Sequence, residues 1–275
     1  MRVRLVSIAT PTHPLDGAFY VPDEGADRAA LIFHGNCKNF YSGPSRFLAE
    51  PLVAAGFAVL SFNRRGHDVI HTHGRGWSGG ANQLVAEMLE DDALAAVWLA
   101  EQGFPSPVVI GHSNGGMLAV PHVAARPDTP AMVLLSAHRG GPEIGRLNSE
   151  NGLFAKDRYD EFLEESRRRI AEGRGKELML LPGWWHAITA ETFVDFVTRC
   201  PDMMEHAPQV RCPTLYVRGD LERADIYPAE EFAARSGGPT DVVIPENCDH
   251  FYTGQESEVA DLVVGWLRER LQRSP

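Results

Sequence analysis

The apolar run Pro107-Val108-Val109-Ile110 leads directly into Gly111-His112-Ser113-Asn114-Gly115-Gly116, and a helical stretch follows from Gly115 to Ala125. Strand, tight turn and helix in this order make half of a βαβ unit, which commits the neighbouring segments to a mostly parallel sheet. Ser113 stands at the apex of Gly-x-Ser-x-Gly, the nucleophile-elbow pattern. A free hydroxyl is a poor nucleophile; lifting it clear of the sheet beside a helix N-terminus is one way to make it useful. A glycine-rich loop that happens to contain serine is the competing reading. The preceding strand and the Gly115-Gly116 pair, which lets the helix pack close to that strand, favour the elbow.

The same alternation runs through the first half of the chain. Strands are predicted at 3–8, 16–21, 29–33, 58–62, 107–110 and 132–136, with helices near 45–55, 82–102 and 115–125. Leu84, Met88, Leu94, Val97 and Trp98 fall on one helix face. The segment Ala131-Met132-Val133-Leu134-Leu135 is apolar throughout, as a strand covered on both faces must be. From His138 to about Val210 charged helical segments replace the β-rich runs, and the pair Trp184-Trp185 follows them. Strand and helix then resume at 213–217, 241–244 and 256–271. The reading is an α/β core of residues 1–137 and 211–275, with a helical insertion, 138–210, over the strand C-termini. Ligands of open α/β sheets bind at those ends.

Composition narrows the function classes. The 275 residues carry a net charge of -11, which argues against a nucleic-acid binder with a basic face. No run approaches the roughly 18 apolar residues of a membrane span. The first residues, Met1 to Val6, hold no signal-peptide core, and the four cysteines (Cys37, Cys200, Cys212, Cys248) lack CxxC spacing. Together these predict reduced thiols and a cytoplasmic protein acting on a small molecule, with neither nucleic acid nor membrane as partner. The oligomeric state is left open, a homodimer included.

A serine nucleophile needs a base, an acid to orient the base, and donors for the oxyanion. His250 follows the last predicted strand and precedes the last helix, where a base belongs. Three carboxylates, Asp220, Glu222 and Asp225, compete for the orienting role after the strand ending near Val217. The backbone N–H of Asn114 lies at the helix N-terminus behind Ser113, where the dipole favours negative charge. The turn His34-Gly35-Asn36 after the third strand offers a second donor, the N–H of Asn36.

These motifs, with Asn63-Arg64-Arg65-Gly66-His67 after the fourth strand and Asp249-His250 near the end, resemble the α/β-hydrolase superfamily along nearly the whole chain. The order nucleophile, acid, histidine is that superfamily's order. The resemblance implies a mostly parallel eight-stranded sheet flanked by helices, with a helical cap inserted after the sixth strand. By position it places the acid of the Gly-x-x-Asp pattern on Glu222, a departure from the commoner aspartate. Members that use an aspartate nucleophile, the dehalogenases and epoxide hydrolases, fit poorly because Ser113 occupies the apex.

The expected activity is therefore cleavage of a small-to-medium carboxylic ester, thioester, lactone or amide by Ser113, His250 and Glu222, with Asn36 and Asn114 as oxyanion donors. Acyl transfer or carbon–carbon hydrolysis on the same residues is the alternative, and a ligand receptor without turnover is a third reading. Proton and acyl transfer require neither metal nor organic cofactor. Trp184, Trp185 and Phe251 are candidates for the substrate pocket, with core packing as their other role. Tyr252, with Phe251 beside the base, is expected to close the pocket. His67, His71 and His73 with Asp68 have loop spacing compatible with a metal, but solvated or hydrogen-bonded loop residues are the expectation. His34 and His112 are expected to support loop geometry.

Overall fold

The computed structural model describes residues 1–184 and 186–272. Eight strands form its centre: β1 (Arg2–Ile8), β2 (Leu15–Val21), β3 (Arg28–Phe33), β4 (Phe57–Phe62), β5 (Val108–His112), β6 (Met132–Leu135), β7 (Thr214–Val217) and β8 (Thr240–Val243). Their spatial order is β1-β2-β4-β3-β5-β6-β7-β8. Only β2 runs against its neighbours; all pairings from β4 to β8 are parallel. This is the α/β-hydrolase arrangement that the sequence motifs implied.

The helices are α1 (Pro44–Ala54), α2 (Val85–Glu101), α3 (Asn114–Ala124), α4 (Ile144–Glu150), α5 (Tyr159–Ala171), α6 (Ala190–Arg199), α7 (Met203–His206), α8 (Ala229–Arg235) and α9 (Glu256–Gln272). Strand alternation sends the two sheet faces to two cores. Leu31, Phe33, Leu60 and Val109 pack under α2, α3 and α8 through Leu99, Val120 and Phe232. Ile32, Val59, Ile110 and Val133 pack under α1 and α9 through Leu52, Val263 and Leu267. Burial on both faces is why β3 to β7 read as nearly unbroken apolar runs. Each fully buried Leu or Ile contributes about 1.5–3 kcal/mol of transfer free energy.

Residues 138–210 fill the gap between β6 and β7 and sit beside α2 and α3. They have a core of their own, in which Phe154, Phe162, Phe193 and Phe196 meet Met117 and Leu118 of α3. Among the hydrogen bonds that tie this segment to the sheet side are Thr189 N–H to the Ala81 carbonyl at 2.7 Å, Val85 N–H to Asp195 Oδ2 at 2.7 Å and Arg139 N–H to the Ile226 carbonyl at 2.8 Å. The segment is not purely helical as expected. Leu178–Leu180 and Ala187–Thr189 form a short antiparallel hairpin. Three-residue strands are too short to register as a period-2 pattern. A second hairpin, His71–His73 with Gly76–Ser78, lies in the loop after β4 for the same reason. No described helix is long and apolar enough to cross a membrane.

Candidate active site

The elbow is built by close approach of backbone. Ser113 sits at φ 55° and ψ −120°, a conformation that side-chain-bearing residues rarely adopt and that costs roughly 1–3 kcal/mol. A β-carbon on Gly115 would collide with the Phe33 and His34 carbonyls, and one on Gly116 with Ala137. Both positions must therefore be glycine for α3 to start where it does.

His250 lies on the loop after β8, and its Nε2 is 3.0 Å from Ser113 Oγ. Its Nδ1 is 2.6 Å from Glu222 Oε1. Since a carboxylate only accepts, the His250 proton sits on Nδ1 and Nε2 is free to accept from the serine. The second Glu222 oxygen accepts from Gly219 N–H at 2.9 Å and from Ser136 Oγ–H at 2.6 Å. Ser136 thereby uses its one proton, and the single Tyr252 O–H proton is shared between Ser136 Oγ at 2.8 Å and the Val217 carbonyl at 3.2 Å. Of the three carboxylates weighed from sequence, Glu222 is the one at His250. Asp220 accepts from Cys248 N–H at 2.9 Å, and Asp225 pairs with Arg223 at 2.5 Å. The Glu222 side chain is 4% exposed and that of His250 24%, so the pair is shielded yet open on the serine side.

Three buried histidines hold the loops. His34 Nε2 accepts the Arg64 N–H at 3.0 Å, so its proton is on Nδ1, which donates to the Gly35 carbonyl at 2.7 Å. The N–H of Asn36 belongs to the same planar trans peptide and points away from that carbonyl. His112 Nε2–H donates to the His250 carbonyl at 2.9 Å, tying the elbow strand to the histidine loop. His138 Nδ1 accepts from Gly140 N–H at 3.1 Å, and its Nε2–H donates to Asn114 Oδ1 at 3.2 Å. Burial lowers all three, His112 and His138 to about 3, so they are neutral bridges. Asn114 opens α3, and helix N-terminal N–H groups have no acceptor within their own helix.

A profile of the Alpha/beta hydrolase family matches residues 30–262. The chain belongs to that family. Among solved structures, Est1E of Butyrivibrio proteoclasticus, determined with ferulic acid bound, aligns with a TM-score of 0.74 at 18% identity, over 98% of this chain and 100% of that one. GrgF, an alpha/beta hydrolase of Penicillium sp. sh18, aligns with a TM-score of 0.74 at 14% identity, covering 98% and 99% of the two chains. A dienelactone hydrolase of Anabaena variabilis gives 0.61 at 18% identity, covering 98% and 97%. At such identities the likeness is one of fold.

In this alpha/beta hydrolase the serine opens onto a cavity of about 260 Å³. Asn36, Asn114 and His250 line it, as do Trp184 and Phe251. Trp185 lies outside the described residues. Tyr252, expected beside Phe251 at the pocket, is instead fully buried, with its hydroxyl at Ser136 and the Val217 carbonyl. Leu153, Phe154 and Phe196 are among its apolar lining residues, and Lys38, Asn148 and Asn151 among its polar ones. Ser136, His138, Lys38 and the two asparagines were not singled out from sequence. Ser136 and His138 follow β6, and their position at a strand C-terminus was the available signal. Lys38 and the asparagines carry no comparable signal, because their place depends on how the insertion packs. Around the loop after β4, His67 stacks on His71 with ring centroids 3.8 Å apart and bonds Asp68 at 2.9 Å. No group of three or more His, Cys, Asp or Glu among the described residues is arranged to hold a metal.

Proposed function

We propose that the protein is a serine hydrolase that cleaves a small-to-medium carboxylic ester, thioester, lactone or amide through an acyl-enzyme. The single observation that carries this reading is the directional chain from Ser113 Oγ through His250 to Glu222, with steps of 3.0 Å and 2.6 Å, on the wall of a cavity. Ser113 Oγ attacks the carbonyl carbon while His250 Nε2 takes its proton. Glu222 holds the imidazole in the required tautomer and stabilises its cation. The N–H groups of Asn36 and Asn114 receive the oxyanion of the tetrahedral intermediate. Its collapse breaks the bond to the leaving group, which takes the proton from His250. Water, giving a proton to His250, then attacks the acyl-enzyme, and return of that proton to Ser113 releases the acid.

In this reading residues 138–210 are a cap that shapes the acyl or leaving-group side, with Trp184 and Phe251 as its aromatic contacts. The esterase and dienelactone hydrolase names among the structural neighbours support carboxylic esters and lactones over amides. The test is turnover of activated esters and thioesters of graded acyl length, together with fluorophosphonate labelling. Ser113→Ala is expected to lose about 10⁴-fold or more in kcat and all labelling. Undiminished turnover in that variant would end the proposal.

A further inference from the structure

Four charged residues line the cavity, and three of them are already engaged. Glu222 is bonded to His250, Arg223 pairs with Asp225 at 2.5 Å, and Asp249 Oδ1 accepts the Phe251 and Thr253 N–H groups at 2.9 Å each. The fourth, Lys38, makes no ion pair among the described residues. Its Nζ lies 5.0 Å from the Trp184 ring centroid and 4.5 Å from that of Phe251, whose rings are themselves 5.5 Å apart. Two aromatic faces hold the ammonium in place without neutralising it. Two residues earlier on the same loop, Asn36 also lines the cavity, and its Nδ2 is buried with no hydrogen-bond partner among the described residues. A buried donor without an acceptor is costly, and such groups at a cavity wall point to an absent acceptor.

An unpaired cation and an orphaned amide donor on one loop are what an anionic acceptor would satisfy. They stand out in a chain whose net charge is -11. Phe251 contacts the His250 ring at a centroid distance of 4.9 Å, so two ring contacts link the ammonium to His250, the hydrogen-bond partner of Ser113. Lys38, Asn36 and Ser113 line one cavity of about 260 Å³, so one small substrate can meet all three.

We infer that the substrate is an ester or lactone carrying a free carboxylate a few bonds from the reacting carbonyl, and that Lys38, helped by the Asn36 amide, binds that carboxylate. The inference rests on the hydrolase reading above and narrows its substrate class.

Matched substrates test it: the mono-p-nitrophenyl ester of glutaric acid against p-nitrophenyl valerate, and p-acetoxybenzoate against phenyl acetate. In at least one pair the wild type should favour the anionic member in kcat/KM. Lys38→Met should lower that anionic-to-neutral ratio about tenfold or more, the size expected for one charge-assisted hydrogen bond, and Lys38→Glu further. Lys38→Arg should retain most of it. If neutral esters are turned over but both pairs keep their ratios in Lys38→Met and Lys38→Glu, the carboxylate inference falls while the hydrolase reading stands. If the wild type turns over no ester, the hydrolase reading falls, and calorimetric titration of Ser113→Ala with benzoate, benzamide and phenylphosphonate still decides the anion site. Benzoate binding that exceeds benzamide binding and weakens in Ser113→Ala/Lys38→Met supports it. Equal binding of benzoate and benzamide, or a preference for phenylphosphonate over benzoate, overturns it.

Discussion

The sheet side of the cavity and the insertion side are held together by different physics. On the sheet side, Lys38 and the Asn36 amide apart, the polar groups around His250 are buried and hydrogen-bonded. Glu222 accepts from His250, Ser136 and Gly219; His34, His112 and His138 each bridge two segments; and Arg64 and Arg65 pair with buried Asp92 and Asp91 behind the elbow. On the insertion side the polar groups are mostly exposed. Around α5, Arg146 pairs with Asp160, Arg168 with Glu165 and Glu172, and Arg174 with Glu177, all at the surface. Its cohesion comes from aromatic packing, such as Phe154 stacked on Phe193 at 4.8 Å. Geometry that has to be accurate is built from short-range directional bonds, and a wall that has only to be present is built from area.

The comparison is tested hardest at Glu222. Glu222→Gln keeps the size of the side chain but places an amide N–H against His250 Nδ1. The ring proton is then driven to Nε2, where it faces Ser113 and cannot be replaced by the serine's own. A loss of about 10⁴-fold in kcat is expected, the scale associated with a wrong tautomer in a serine–histidine pair. Thermal unfolding should move far less than activity does. A variant within tenfold of wild type would mean that the bonds around Glu222 set structure and not chemistry.

This contrast also explains what was legible in the sequence. The elbow could be read because Gly111, Ser113, Gly115 and Gly116 are contiguous, and backbone proximity leaves a local signature in glycine. His250 could be read because the end of a strand precedes it. The choice among Asp220, Glu222 and Asp225 needed the resemblance to the family, since all three lie within one short loop and only the fold decides which meets the ring. Ser136 and Tyr252 are far apart in the chain, and their link to Glu222 exists only after β6, β7 and the last loop are assembled. The walls around Trp184 and Lys38 were least legible. Aromatic packing tolerates many sequences, and no spacing rule says which asparagine of α4 will face a cavity.

Acid should separate the two sides next. His112, His122 and His138 are held by burial at about 3, and His34 well below its ordinary value, in the folded state. The unfolded chain takes up protons near pH 6.5 while the folded one does not. Their stabilisation is therefore complete above pH 6.5 and is lost as pH falls toward 3, each histidine contributing a slope of at most about 1.4 kcal/mol per pH unit. Asp91 and Asp92 act in the opposite sense. Burial raises them to about 6 and about 7, so the folded state holds their protons more tightly between pH 4 and 7. Four histidines outweigh two carboxylates, and a net loss of roughly 2–4 kcal/mol in unfolding free energy is expected from pH 7 to pH 5. Urea titrations at the two values measure it. Stability that held or rose on acidification would show that these histidines are charged in the folded protein.

The smallest expected effect lies on the insertion. Arg168 joins Glu165 at 2.5 Å and Glu172 at 3.0 Å, with its own side chain 56% exposed. By count of contacts it resembles Glu222; by environment it is the reverse. Solvent screens both pairs, each long side chain gives up rotamer freedom to form them, and the neighbouring Arg169 and Arg174 offer the same glutamates other partners at 2.7 Å and 2.8 Å. Arg168→Ala also places the best helix former in α5, which offsets part of what is lost. The melting temperature should shift by no more than about 2 °C, and kcat/KM on any ester should be unaltered. A larger drop, or one that disappears in high salt, would mean that the surface pairs of α5 act as a connected network. The insertion would then owe its shape to charge as well as to the aromatic area that Phe154, Phe193 and Phe196 bury.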